Sequence, residues 1–208
     1  MNKKRKRVKV GIVLLLVIIA FLYYITWGIR PKVKIEVLDA KNIRISCNVH
    51  KNAEFYRIYR SDEKDGQYER IGTVRENKFI DEELKPSTTY WYKVAVIKDG
   101  KEGKLTFPSS GTTKELPPTP VNVSADSITF ESATIRWNKA ENVRNYYIYR
   151  ADDENNYYNI IGQSINNSFI DRTLSPSKKY KYKITSNNEN GESETSSEIK
   201  IETAKKAS

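Results

Sequence analysis

The chain is short of the residues on which disulfide-bonded folds and most active sites depend. It contains one cysteine, Cys47, and one histidine, His50, among 208 residues. A single cysteine excludes an intramolecular disulfide, so the fold must be stabilised by its hydrophobic core. The two residues lie three positions apart near a strand end, and odd spacing on a strand points side chains to opposite faces. We therefore predict no enzymatic activity, no metal site and no cofactor.

Acidic residues are absent from the first 34 positions, which hold nine of the 36 lysines and arginines. The remainder of the chain therefore carries 27 basic and 26 acidic residues and is close to neutral. Nucleic-acid binding requires a basic surface that holds phosphates. The net charge of +10 is thus an N-terminal feature, and we predict no nucleic-acid partner.

A charge-free stretch, VGIVLLLVIIAFLYYITW, occupies residues 10–27. As a helix rising ~1.5 Å per residue it would span ~27 Å, enough to cross a bilayer. Basic residues precede it, and the positive-inside rule then keeps residues 1–9 as a cytoplasmic tail. We predict a single-pass signal-anchor with the C-terminal domains outside the cell membrane. A cleaved signal peptide is the alternative, but the stretch ends in YYITWGIRPK, which contains no small-x-small cleavage site.

The rest of the chain contains an internal repeat with an offset of 90 residues. Between Ile45 and Lys93, 21 of 49 positions are identical to their counterparts without a gap. Each copy shows short alternating runs separated by turn residues, which predicts an all-β domain of seven strands, arranged as a β-sandwich. The predicted strands are 33–38, 42–48, 54–60, 68–74, 78–81, 89–97 and 104–113, then 121–126, 129–137, 144–150, 157–164, 168–171, 179–187 and 194–203. Asp99-Gly100 and Asn190-Gly191 are predicted as the final hairpin turns.

A leucine, a proline and two tyrosines recur at fixed spacing in both copies, and this pattern resembles the tyrosine corner of the fibronectin type III family. The residues are Leu84, Pro86, Tyr90 and Tyr92 in the first copy, and Leu174, Pro176, Tyr180 and Tyr182 in the second. The resemblance implies tandem fibronectin type III sandwiches at 33–114 and 121–204, joined by a proline-rich linker at 115–120.

The resemblance also assigns Trp137 to the core of the second copy, where the first copy has Cys47. This smaller side chain predicts either compensating bulk, from Phe55 or Phe107, or a less stable first domain. The lack of disulfides, together with abundant Lys, Asn, Ile and Tyr, favours a bacterial-type surface protein.

Aromatic residues provide the remaining functional signal. Strand alternation predicts that Trp91, Tyr59, Tyr147 and Tyr149 point outward as candidate ligand contacts. Acidic loops at 62–65 and 152–154 could suggest calcium, but their spacing does not fit an EF-hand. We therefore predict a cell-surface protein-interaction, adhesion or spacer protein. The alternative is a cell-wall or carbohydrate-binding protein, in which Trp91 would be the key residue.

Overall fold

The computed structural model describes residues 16–18, 30–155 and 157–206. Residues 16–18 are helical, and the rest of the predicted membrane helix and the tail at 1–9 lie outside the described residues. Within the described part of the chain, no helix has the length and apolar character needed to cross a membrane. The chain forms two compact units whose main boundary follows Thr113. We call strands β1–β8 module 1 and strands β9–β16 module 2.

Module 1 is a sandwich of two antiparallel sheets. The order β1-β2-β5 forms one sheet, and the order β4-β3-β6-β7 forms the other, in which β8 also pairs with β6. Its strands are β1 (Val33–Val37), β2 (Ile43–Cys47), β3 (Phe55–Ser61), β4 (Glu69–Val74), β5 (Lys78–Asp81), β6 (Thr89–Lys98), β7 (Lys101–Glu102) and β8 (Ser109–Thr112).

Module 2 repeats this arrangement. The order β13-β10-β9 forms the smaller sheet, and the order β12-β11-β14-β15, with β16 also on β14, forms the larger one. Its strands are β9 (Ser124–Asp126), β10 (Ala133–Arg136), β11 (Asn145–Asp152), β12 (Asn159–Ser164), β13 (Ser168–Asp171), β14 (Lys179–Asn188), β15 (Gly191–Glu192) and β16 (Ile199–Glu202). The all-β prediction of two fibronectin-like sandwiches is thereby confirmed.

Alternating side chains explain why these segments form strands. On β2, Ile43, Ile45 and Cys47 are buried, whereas the intervening Arg44 and Ser46 are partly exposed. A period of two places one set of residues in the core and the other towards solvent. Each module has its own apolar core between its two sheets.

The last strand of each module differs from the prediction, because the runs 104–113 and 194–203 do not form continuous strands. Where each run is interrupted, a side-chain hydroxyl accepts the hydrogen bond that a backbone carbonyl would accept in a continuous strand. The amide of Val94 donates to Thr106 Oγ1 at 3.0 Å, and the amide of Ile184 donates to Ser196 Oγ at 3.0 Å. Side-chain oxygens of Ser and Thr can compete with the backbone ladder in this way.

The hairpin before that interruption was predicted correctly in one module only. In module 1, Asp99 and Gly100 form the turn with φ of 50° and 68°, as a tight hairpin requires. In module 2 the predicted turn is wrong by one residue, because Gly191 already pairs with Asn188 on the neighbouring strand. The repeat register, rather than the Asn-Gly pair, therefore determines where this chain turns.

Candidate functional site

The predicted tyrosine corner places Tyr90 and Tyr180 in similar environments, each 6% exposed. The Tyr180 hydroxyl accepts a hydrogen bond from the Ser175 amide at 2.9 Å. A guanidinium lies over each ring: Arg60 is 5.3 Å from the Tyr90 centroid and Arg150 is 5.1 Å from that of Tyr180. Leu84 and Leu174 belong to the two cores. These residues fix the entry into the long strands β6 and β14.

Sequence reasoning missed a buried polar cluster beside each corner. In module 2 the Tyr182 hydroxyl donates to Asp171 Oδ2 at 2.8 Å, and Arg150 Nη1 donates to the same oxygen at 2.7 Å. In module 1, Tyr92 donates to Asp81 Oδ2 at 2.9 Å and Arg60 pairs with Asp81 Oδ1 at 2.9 Å. The identical residues at a spacing of 90 were the available signal, but their contacts depend on strand register.

The two buried carboxylates differ in their other partners. Asp171 Oδ1 accepts hydrogen bonds from the amide of Thr173 at 2.9 Å and from its hydroxyl at 2.8 Å. Burial acts to raise the pKa of Asp171, but the bonds from Thr173, Arg150 and Tyr182 outweigh it and the pKa is lowered. Module 1 has Glu83 where module 2 has Thr173, so the hydroxyl donor is lost there.

The two modules differ at one equivalent core position, which is Cys47 in module 1 and Trp137 in module 2. Trp137 is 2% exposed and packs edge-on against Tyr146, with ring centroids 5.1 Å apart. Cys47 is 7% exposed and lies in the corresponding core. Burial raises the pKa of its thiol to about 11, so the reactive thiolate is scarce at neutral pH.

The predicted compensation by a phenylalanine is wrong, because neither candidate belongs to the core of module 1. Phe107 is 72% exposed and lies 4.3 Å from the Arg30 guanidinium. Phe55 is half-buried beneath Arg75. A crevice of about 10 Å³ remains beside Cys47, and neither Phe55 nor Phe107 lines it. This is about the space of one water molecule, and the prediction of a less stable module 1 remains.

The outer face of the larger sheet in module 1 carries two of the candidate aromatics. Tyr59 donates to Glu102 Oε1 at 2.5 Å, and Arg57 pairs with the other oxygen of that carboxylate. Trp91 is half-buried with Lys64 Nζ 5.9 Å from its ring. Lys93, which lies on β6 as Trp91 does, places its ammonium 3.8 Å from the Tyr68 ring. Charged partners therefore hold these rings in place.

The outer face of the larger sheet in module 2 carries the other two candidate aromatics, Tyr149 and Tyr147, which have different surroundings. Tyr149 donates to Glu192 Oε1 at 2.5 Å, and Thr185 donates to the same oxygen. Burial and the Glu192 carboxylate raise the pKa of Tyr149 to about 12. Tyr147 instead lines an open groove of about 660 Å³. The other lining residues are Arg144, Asn145, Gln163, Ser164, Ile165 and Asn187.

The remaining candidates, His50 and the acidic loop of module 2, contact other protein groups. His50 lies in the loop after β2, where its Nδ1 is 3.1 Å from the Lys51 carbonyl oxygen. In the acidic loop of module 2, Asp153 pairs with Lys181 at 3.6 Å and Lys200 at 3.8 Å. Across residues 30–155 and 157–206, no three His, Cys, Asp or Glu side chains are grouped as metal ligands would be.

Comparison with known proteins assigns the family of module 2. The family model described as fibronectin type III domain matches residues 116–202. Residues 116–202 form a fibronectin type III domain. Module 1 has the same sheet order and the same repeated hydrogen bonds, and is therefore fibronectin type III-like. No curated protein matches the chain.

Solved structures of tandem fibronectin type III domains are similar to the chain. The FN1–FN3 domains of chicken CNTN1 have 18% identity and a TM-score of 0.49, with 85% of this chain and 67% of that chain covered. A segment of two fibronectin type III domains from chicken tenascin has 18% identity and a TM-score of 0.42, with 84% of this chain and 100% of that chain covered. Fibronectin type III domains commonly mediate protein interactions or serve as spacers, so function must be argued from particular sites.

Proposed function

We propose that the protein is a membrane-attached, non-catalytic surface protein whose module 1 presents a protein-binding face. The observation that carries this proposal is the fixed aromatic surface formed by β3, β6 and the residue before β4. We call Arg57, Tyr59, Tyr68 and Trp91 the module 1 face. Trp, Tyr and Arg are the residue types that dominate binding energy at protein interfaces.

The contacts within this face supply a physical reason for binding. Glu102 accepts from Tyr59 and pairs with Arg57, while Lys93 and Lys64 lie over the rings of Tyr68 and Trp91. Side chains that are already ordered lose less conformational entropy when a partner covers them. The face is also mixed in charge, which suits a polar rim around an aromatic centre.

Membrane attachment in this proposal rests on the charge-free run 10–27 and the basic residues before it. Such a run with a basic N-terminal flank favours a single-pass anchor that leaves both modules outside the cell. In this arrangement module 1 follows the anchor directly in the chain, and module 2 comes after it. Extraction of membranes with alkaline carbonate tests this part: an anchored chain stays in the pellet, whereas release into the supernatant contradicts the anchor.

Capture of a partner tests the binding role. Intact cells that carry the C-terminally tagged full chain are crosslinked, and the captured proteins are identified by mass spectrometry. Recovery of one reproducible surface protein, reduced at least tenfold by Trp91→Ala, is the expected result. Tyr157→Ala is the matched control, because Tyr157 is 83% exposed in module 2 and its loss should leave recovery unchanged. Equal recovery with both variants contradicts the proposal.

The carbohydrate alternative centred on Trp91 is not favoured by the surroundings of that residue. Its ring is half-buried, with Lys64 Nζ 5.9 Å from the ring centroid. A sugar that stacked on this ring would have to displace the ammonium, whereas a protein partner can contact the ring and the ammonium together. The position equivalent to Trp91 in module 2 is Lys181, which is 7% exposed. A second copy of such a Trp site is therefore absent from the sequence.

A further inference from the structure

A chain of three side-chain amides crosses the larger sheet of module 2 beside Tyr147. Asn145 Nδ2 donates to Gln163 Oε1 at 3.4 Å, and Asn187 Nδ2 donates to Asn145 Oδ1 at 3.2 Å. The three residues come from β12, β11 and β14, which are neighbours in that order. Asn187 is directly opposite Asn145, and Gln163 is directly opposite Tyr147. We call Gln163, Asn145 and Asn187 the amide chain.

The amide chain has a direction, and its two ends differ. Asn145, which is 9% exposed, uses both its donor and its acceptor within the chain and so fixes the other two amides. Within the described part of the protein, Gln163 keeps its Nε2 donor and Asn187 keeps its Oδ1 acceptor for a ligand. A free donor and a free acceptor held at known positions fit groups that both accept and donate, as hydroxyls do.

Tyr147 supplies an apolar surface next to these groups. Its ring lines the open groove with the amide chain, and Ile165, which is 80% exposed, lies at the groove's edge. Among the described residues that line the groove, Arg144 is the one cation and none is a carboxylate. A few convergent polar groups beside an aromatic surface are typical of small-ligand sites. A sugar ring presents an apolar C–H face for the tyrosine ring and hydroxyls at its edge for the amides.

We propose that this groove in module 2 is a saccharide-binding site. Tyr147 stacks on the sugar ring, Gln163 donates to one hydroxyl, Asn187 accepts from another, and Asn145 positions both amides. A protein partner fits less well, because interface anchors need a desolvated apolar pocket, and here most of the lining residues are polar. This site goes beyond the protein-binding role proposed for module 1, and neither depends on the other.

Module 1 provides a natural control, since its equivalent positions have lost every amide. Phe55, Thr73 and Ile97 stand where module 2 has Asn145, Gln163 and Asn187, and Arg57 stands in place of Tyr147. Arg75 lies 5.3 Å from the Phe55 ring, and Arg57 is paired with Glu102. The saccharide site is therefore specific to module 2.

A glycan array tests the proposal with the detergent-solubilised full chain. The array carries neutral oligomers of hexoses and N-acetylhexosamines and, as an anionic arm, polymers of uronic acids. Retention on at least one neutral oligomer is expected, with affinity at least tenfold weaker for Tyr147→Ala. Gln163→Ala, an exposed substitution, should weaken binding severalfold, and unchanged far-UV circular dichroism confirms that each variant is folded. Arg57→Ala should leave retention unchanged.

Several results would overturn the proposal. These are no retention on any neutral oligomer, equal retention by wild type, Tyr147→Ala and Gln163→Ala, or a loss caused equally by Arg57→Ala. Retention on the uronic-acid polymers alone, abolished by Arg144→Gln, would show a simple electrostatic contact and also contradict the site. The array distinguishes the saccharide site from the protein-binding role of module 1, because Trp91→Ala should not affect retention of a neutral oligomer.

Discussion

The two modules share one framework and differ in what fills its core and covers its outer face. Both bury a Tyr–Asp–Arg cluster with the same atoms in contact, Tyr92 with Asp81 and Tyr182 with Asp171. Module 2 then places Trp137 where module 1 has Cys47, and an amide groove where module 1 has charged residues over aromatic rings. Buried contacts have therefore been kept, while core volume and surface chemistry have diverged.

The largest expected effect comes from removing the volume that distinguishes module 2. Trp137→Ala should destabilise this module by about 3–5 kcal/mol, because the lost indole leaves a cavity beside Tyr146. Amide hydrogen exchange on the full chain measures the loss separately in β10, β11 and β14. Cys47→Ala in module 1 is the matched control and should cost about 1 kcal/mol or less of free energy of unfolding, since few atoms are removed. Equal losses would contradict the difference between the cores.

The buried carboxylate of module 2 gives the next largest effect. Asp171→Asn leaves the Arg150 guanidinium, whose side chain is 20% exposed, without its charged partner. Breaking a buried ion pair in this way is strongly destabilising, and we expect about 2–3 kcal/mol in view of the partial exposure. Chemical denaturation with hydrogen exchange as the readout measures this loss. Asp152→Asn, which changes an exposed carboxylate at the end of β11, should alter stability by less than about 0.5 kcal/mol.

The same carboxylate predicts a response to acid. Because the folded-state pKa of Asp171 is lowered, its stabilising contribution is fully present above the unfolded-state pKa of about 4. That contribution is lost as the pH falls from about 4 through the folded-state pKa. Asp171→Asn should therefore flatten the decline in module 2 stability as the pH falls below about 4. A decline as steep as in the wild type would show that other groups control acid unfolding.

Substitution of two equivalent glycines, Gly72 and Gly162, tests the framework that the two modules share. A Cβ on Gly162 would lie 2.5 Å from Phe169 Cε2, and a Cβ on Gly72 would lie 2.5 Å from Phe79 Cε2. Either substitution by alanine forces a core ring to move, which costs about 1–3 kcal/mol. The expected losses are similar in the two modules, as measured by hydrogen exchange of β12 and β4. A loss confined to one module would show that the rings are held differently.

The smallest effect is expected at the tyrosine corner. Tyr180→Phe removes the acceptor for the Ser175 amide and should cost about 1 kcal/mol, the usual net contribution of such a hydrogen bond. Tyr90→Phe is expected to cost about as much if the corner of module 1 works in the same way. Thermal melting of the full chain with each substitution checks both values, and no change in either would contradict a stabilising role of the hydroxyl.

Much of the fold could be predicted from the sequence, because strand alternation and the ungapped repeat are local signals. Contacts that depend on register were out of reach: Gln163, Asn145 and Asn187 meet only because three strands align them. Trp91 was expected to point outward as a candidate ligand contact, but the approach of Lys64 to its ring depends on a loop conformation that the alternation pattern does not encode. The hairpin error at Gly191 arose because an Asn-Gly pair permits a turn but does not fix its position.

Hydrogen exchange of the unmodified full chain compares the two cores most directly. Long strand β6 in module 1 and its counterpart β14 in module 2 are observed in one sample, so solution conditions are identical. The amides of β14 around Tyr182 and Ile184 should exchange at least tenfold more slowly than those of β6 around Tyr92 and Val94. Slower exchange in β6, or equal rates in both strands, would contradict the claim that Trp137 makes module 2 the more stable of the two.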